Sequence, residues 1–104
     1  MSDDMLDEDG YPTDETLAKI KDWPWDDALG CLDHVRALWR YPDWVTKTEV
    51  GECHHFRFAT GGWSGNEELI GALHSNVMIR CLTWQMSQAG GLHIYHVMPM
   101  QAKE

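Results

Sequence analysis

Residues 45–72 read VTKTEVGECHHFRFATGGWSGNEELIGA, and the fold turns on where their hydrophobic period changes. From Val45 to Glu52 and from Cys53 to Thr60 the pattern is extended: His54, Phe56 and Phe58 alternate with Cys53, His55 and Arg57, a period of two that places the sets on opposite faces of a strand. Gly51 between the two runs supplies a hairpin bend. After Thr60 the glycines break the strand, and Ser64 stands three residues before Glu67, the spacing of a capping box. A helix is predicted over 65–74, with Leu69, Ile70, Ala72 and Leu73 apolar and Asn76 ending it.

Working outward, Thr13 to Asp22 begins with a capping residue and acids in the first turn, then sets Leu17, Ile20 and Trp23 on one helical face. Pro24 interrupts it. Asp26 or Asp27 is placed to cap a second helix carrying Leu29, Leu32, Val35 and Leu38, which stops at the turn signature Tyr41-Pro42-Asp43. Downstream, Val77 to Ser87 fits a helix or a strand by pattern alone. Its β-branched and aromatic residues, with the Gly90-Gly91 turn before Leu92 to Met98, favour a second hairpin. The expected order is ααββαββ, an α+β fold with a four-stranded, largely antiparallel sheet from two hairpins and three helices on one face.

The chain has 104 residues, enough for one core and not two. Residues 1–10, MSDDMLDEDG, hold five acids and three apolar side chains and are expected to form a mobile acidic arm before a single domain over 11–104. The net charge of −9 is not evenly spread: residues 1–33 hold eleven acids and two lysines, while residues 34–104 hold six acids and six bases. An acidic surface of this kind repels nucleic-acid backbones and anionic membranes, so direct binding to either is not expected. A basic protein partner is compatible with it. No run approaches the roughly 18 apolar residues of a membrane span, and the first ten residues are acidic where a secretory leader is basic, so a cytoplasmic protein is expected. Cys31, Cys53 and Cys81 are odd in number and form no CxxC pair, which argues for reduced, buried thiols over a disulfide framework.

Several chemistries can be weighed on residues. The strand, glycine turn and helix of residues 59–72 could cradle an anion on free backbone N–H groups, but Glu67 and Glu68 already complement the helix dipole and the loop holds no Lys or Arg. Gly62-Trp63-Ser64-Gly65 resembles part of a nucleophile elbow and fails at Asn66, where a glycine is needed. Cys53 beside a histidine suggests a thiol nucleophile, without a carboxylate to orient the base. A metal reading takes Cys31 and His34 from one face of helix two with Cys53 and His55 from one side of a strand; these are not the spacings of known zinc modules. No cofactor is therefore expected, with a small zinc protein or metalloenzyme as the alternative. The six histidines predict a graded loss of net charge as pH falls through about 6.5, weakening any partnership that needs the acidic face.

The remaining constellation is Asp22-Trp23-Pro24-Trp25-Asp26-Asp27, two indoles among carboxylates at a proline turn. Apolar anchors inside a charged rim are the anatomy of a protein-binding hot spot, with the competing reading that an indole caps the core.

At Thr60-Gly61-Gly62-Trp63-Ser64-Gly65-Asn66-Glu67-Glu68 the chain resembles a family of small, mostly uncharacterised proteins encoded by bacteriophages and prophages. The likeness extends to Tyr11-Pro12-Thr13, Leu38-Trp39, Tyr41-Pro42-Asp43, Trp84 and Gly90-Gly91. Such proteins are often basic just before the last glycine pair, where this chain has Gln88-Ala89. The resemblance implies a phage-borne accessory protein in a bacterial cytoplasm, and many of that size and charge bind a host factor, including inhibitors of CRISPR and other defence systems.

Together these readings predict a non-enzymatic, stoichiometric protein binder. Asp14, Glu15, Asp22, Asp26, Asp27 and Asp33 would supply charge and Trp23 or Trp25 the anchor. The partner would be a basic host protein or nucleoprotein complex, such as a CRISPR effector. A phage structural or assembly component is the further alternative.

Overall fold

The computed structural model describes residues 5–98. Its elements are α1 (Asp14–Lys21), α2 (Ala28–Leu38), β1 (Val45–Val50), β2 (Cys53–Ala59), α3 (Ser64–Ser75), α4 (Val77–Thr83), β3 (Trp84–Gln88) and β4 (Leu92–Val97), with 3-10 turns at Trp25–Asp27 and Pro42–Trp44. The four strands form one antiparallel sheet in the order β1-β2-β4-β3, so each hairpin contributes one inner strand. The α+β class and the four-stranded sheet are as expected. The helix count is not.

Residues 77–83, read as the start of a strand, are helical, giving four helices and the order ααββααββ. The cause is Asn76. Its N–H closes α3 on Leu73 O at 3.1 Å, and its side-chain oxygen accepts from Ile79 N at 3.2 Å to start α4. Ile79 and Thr83 then bury at a spacing of four, and Thr83 Oγ1 donates to Ile79 O at 2.7 Å. A cap and two buried contacts thus outweigh the β preference of Val77, Ile79 and Thr83. The rest of the segment, Trp84 to Gln88, is the strand expected.

The inner strands set the layers. Phe56, Phe58, Tyr95 and Val97 are fully buried on one face and join Ile20, Leu32, Val35, Leu69, Leu73 and Ile79 in a single core. The opposite face carries Thr46, Thr48, His55, Arg57, Ile94 and His96, none of them buried. That alternation is the period of two read from residues 53–58.

The glycine-rich segment is a joint in which several distant residues meet. Gly61 has φ of 64°, and a Cβ there would collide with the Trp44 ring. Gly65 lies under Trp63, whose ring a Cβ would likewise strike. Trp63 in turn packs 4.8 Å from Tyr11 and 4.7 Å from the Arg40 guanidinium. Asn66, fully buried, accepts from Arg40 N at 3.0 Å and donates to Arg40 O at 3.2 Å and Thr60 O at 3.4 Å. Trp39 donates its indole N–H to Ala59 O at 3.0 Å, and Thr60 N donates to Gly91 O at 3.0 Å. These contacts give the segment a packing role that its sequence alone left open.

Two expected caps are corrected. Trp63 is the N-cap of α3, and Ser64, its first residue, makes no capping bond; the hydroxyl instead meets Tyr11 Oη at 2.9 Å. Asp27 stands at the N-cap of α2, but its carboxylate accepts from the Trp23 indole N–H at 3.0 Å. The expected cap of α1 forms, with Thr13 Oγ1 accepting from Thr16 N at 3.2 Å.

Of the expected arm, residues 1–4 lie outside the described residues. Leu6 bridges to Pro12, Thr13 N donates to Met5 O at 3.1 Å, and Asp7 Oδ1 accepts from both Asp9 N and Tyr11 N at 2.9 Å. Among the described residues no helix is long and apolar enough to cross a membrane.

Candidate protein-binding surface

The turn between α1 and α2 is built from both sides. Proline at 24 ends helical geometry, and the chain re-enters through the 3-10 turn Trp25–Asp27. From across the fold, Asn76 Nδ2 donates to Ile20 O at 3.0 Å and Trp23 O at 2.9 Å, so the side chain that separates α3 from α4 also fixes the carbonyls of this corner. The backbone that carries the Trp23 indole is therefore held in place.

The two tryptophans take different roles. Trp23 is half-buried against the core, tied to Asp27, with its ring 4.9 Å from His34 and 5.4 Å from Lys19 Nζ. Trp25 is 53 % exposed. Asp22 and Asp26 are exposed on either side of it in sequence and Asp27 is half-exposed. Lys19, Asp22, Trp23, Pro24 and Asp27 line an adjoining groove of about 360 Å³. Burial and the nearby Lys19 lower the pKa of His34, so its ring stays neutral beneath Trp23 and adds no positive charge to the acidic corner.

The other acids named from the sequence do not join this corner. Asp14 and Glu15 are exposed in the first turn of α1, about 12 Å of helix away from its C-terminal end, where they complement the dipole. Asp33 is committed to Lys47, whose Nζ lies 2.9 Å from its carboxylate. Sequence reasoning missed Lys19 and weighed His34 only as a metal ligand. The i, i+4 spacings Lys19–Trp23 and Trp23–Asp27 carried the first signal; His34 depends on the crossing of two helices, which no local spacing reveals.

The proposed metal ligands are scattered. Cys31 is fully buried on α2, where burial and Asp27 push its thiol up to about 12. His34 lies beneath Trp23, Cys53 Sγ contacts Met98 Sδ at 3.3 Å, and His55 stacks on His96 at 3.8 Å. Among the described residues no three His, Cys, Asp or Glu side chains form a group able to hold a metal ion. Cys81, expected to be buried, is exposed on α4, and Cys53 is half-exposed. Ellman titration of the native protein will therefore show Cys81 reacting first and Cys53 more slowly, with Cys31 modified only on unfolding.

A second polar cluster joins α3 to β3 and β4. His74 Nε2 and Tyr95 Oη are 2.7 Å apart, Ser87 Oγ and His93 Nδ1 are 2.7 Å apart, and Trp84 Nε1 donates to Ser87 Oγ at 2.9 Å. Burial holds both imidazoles below the usual histidine value of 6.5; His93 and Arg80 push His74 further down, while Glu67 partly offsets the effect on His93. A depressed histidine contributes stability that is complete above the unfolded value and lost as pH falls through the folded one. The urea midpoint is expected to be flat between about pH 6.5 and about pH 8 and to fall below that range, less steeply in a His74→Gln, His93→Gln variant.

With this geometry in place, comparison supplies no assignment. The chain matches no protein-family model, no curated protein and no solved structure.

Proposed function

We propose that the protein acts by stoichiometric protein binding, as a phage-type accessory protein in a bacterial cytoplasm, and that its acidic N-terminal third occupies a basic, nucleic-acid-binding surface of a host protein or nucleoprotein complex. A CRISPR effector is the concrete case. The observation that carries this reading is Trp25, 53 % exposed, beside Asp22, Asp26 and Asp27 in sequence and two residues beyond the Trp23 carbonyl that Asn76 holds. An exposed indole is a large apolar anchor with few rotatable bonds, and carboxylates around it select a cationic partner and speed encounter. Asp14 and Glu15 extend the field along α1, while Asp33 contributes less because Lys47 neutralises it.

Trp25 is the anchor in this reading, and Trp23 its support. The groove beside Trp23 accepts a flat or aliphatic side chain from the partner, such as the stem of an arginine whose guanidinium reaches Asp22 or Asp27. Titration of a purified CRISPR surveillance complex at about 0.05 M and about 0.5 M salt tests the specific version. A stoichiometric complex that weakens at the higher salt is expected. No complex at either salt contradicts it.

A further inference from the structure

Two residues of the ligand set weighed from the sequence keep different company from that expected. Cys53 and His55 lie two apart on β2 and share the sheet face that leaves Phe56 and Phe58 to the core. The antiparallel register sets His96 of β4 beside His55, and the two rings stack at 3.8 Å. Two residues on, Met98 meets Cys53, whose thiol donates to Met98 Sδ at 3.3 Å. Neighbouring cross-strand pairs thus put a thiol, a thioether and two imidazoles on one patch. Cys53 is half-exposed and Met98 43 % exposed, so solvent reaches the sulfurs. On the other side of β2 the register places Val50 beside Cys53 and Thr48 beside His55, neither of them charged.

The donor types select the ion. Zinc is held by thiolate, imidazole and carboxylate in a tetrahedron, and Cys53, His55 and His96 do not form such a group without the thioether. Thiolate and thioether together favour Cu(I), which is held by fewer ligands than zinc. We propose that Cys53 and Met98 bind one Cu(I) between their sulfurs, with an imidazole of the His55–His96 stack as third ligand. The metal takes the place of the proton in the S–H···S contact: the Cu–S bond forms, the thiol proton leaves to water, and copper keeps its oxidation state. With metal–sulfur bonds of about 2.3 Å, two sulfurs at a trigonal centre lie about 4 Å apart. The pair therefore opens by less than about 1 Å, which the unbranched Met98 side chain just beyond β4 accommodates while one imidazole turns out of the stack. The site uses none of the residues assigned above to partner binding, so either proposal can fail without the other.

Anaerobic competition of the full chain with the Cu(I)–bicinchoninate complex tests the site, in a Cys81→Ser background that removes the exposed thiol of α4. One Cu(I) per chain is expected. Cys53→Ser is expected to weaken binding by about 100-fold or more, and Met98→Leu or the pair His55→Gln, His96→Gln by about tenfold or more. Met98→Leu keeps an apolar side chain of similar volume, and an unchanged circular dichroism spectrum confirms that each variant folds. Copper K-edge absorption is expected to show sulfur and nitrogen neighbours, with one sulfur fewer in Met98→Leu. The proposal is overturned by the absence of stoichiometric Cu(I), by binding indifferent to either the Met98 or the paired histidine substitution, or by displacement of the copper by equimolar zinc.

Discussion

Alanine in place of Asn66 is expected to cost about 2–4 kcal/mol of stability. The side chain is fully buried and joins the residue after α2 to the end of β2: it accepts from Arg40 N at 3.0 Å and donates to Arg40 O at 3.2 Å and Thr60 O at 3.4 Å. Truncation takes the side-chain partner from Arg40 N and Arg40 O, while Thr60 O loses one of two donors and keeps Trp63 N at 3.1 Å. Each stranded group costs about 1–3 kcal/mol when no other partner is found. For a domain of this size a loss of that order lowers Tm by roughly 10 °C or more. Ser64→Ala is the matched control, because it removes one exposed hydroxyl contact with Tyr11 and is expected to change stability by under about 1 kcal/mol. Urea denaturation followed by tryptophan fluorescence reads both. Equal effects from the two substitutions would mean that Asn66 does not hold the joint.

The second large effect concerns binding and leaves the fold intact. Trp25→Ala combined with Asp22→Asn, Asp26→Asn and Asp27→Asn is expected to weaken a basic partner's affinity by about 100-fold or more. Loss of the exposed indole removes the anchor, and loss of three charges removes both long-range steering and partner choice. Asparagine at 27 keeps an oxygen able to accept from the Trp23 indole N–H, so the corner is retained. Trp25 is 53 % exposed, and its truncation leaves no cavity in the core. The urea midpoint should therefore stay close to the wild-type value while titration calorimetry loses its signal. If the single Trp25→Ala change leaves affinity intact, the indole is not the anchor and charge alone carries the encounter.

How much of this was legible in the sequence depends on how local each cause is. The hairpin of β1 and β2 was readable because Phe56 and Phe58 alternate with His55 and Arg57, and Thr13 announced α1 because a cap acts within three residues. Asn76 was readable only in part: a residue that stops a helix is visible in sequence, but one that also starts the next helix is not. Its side-chain bonds to Ile20 O and Trp23 O span more than fifty residues, beyond any local pattern. Ser64 and Asp27 show the converse failure. Each had the right type and spacing for a cap, yet Tyr11 and the Trp23 indole, brought in by tertiary packing, took the side-chain oxygen instead.

For the surface, composition located the charge in residues 1–33 and the Trp-Pro-Trp sequence located its apolar centre. Which indole is exposed was settled by Leu17, Trp23 and Leu29 packing on the core, a three-dimensional outcome that leaves Trp25 outside. The pairing of Asp33 with Lys47 likewise joins α2 to β1 and has no local signature. At the joint around residues 60–66, Tyr41 has φ of 65° and stacks 4.5 Å from Trp44, whose ring covers Gly61, a set of contacts between chain segments that no local spacing reveals.

Competition with nucleic acid tests the central proposal most directly, since the acidic third is held to occupy the surface that binds it. A CRISPR surveillance complex is titrated with a labelled target duplex in the presence of saturating protein, with the Trp25 and Asp22/Asp26/Asp27 variant as control. Mutually exclusive binding is the predicted result, with duplex binding restored in the variant. A stable ternary complex of protein, effector and duplex would contradict it.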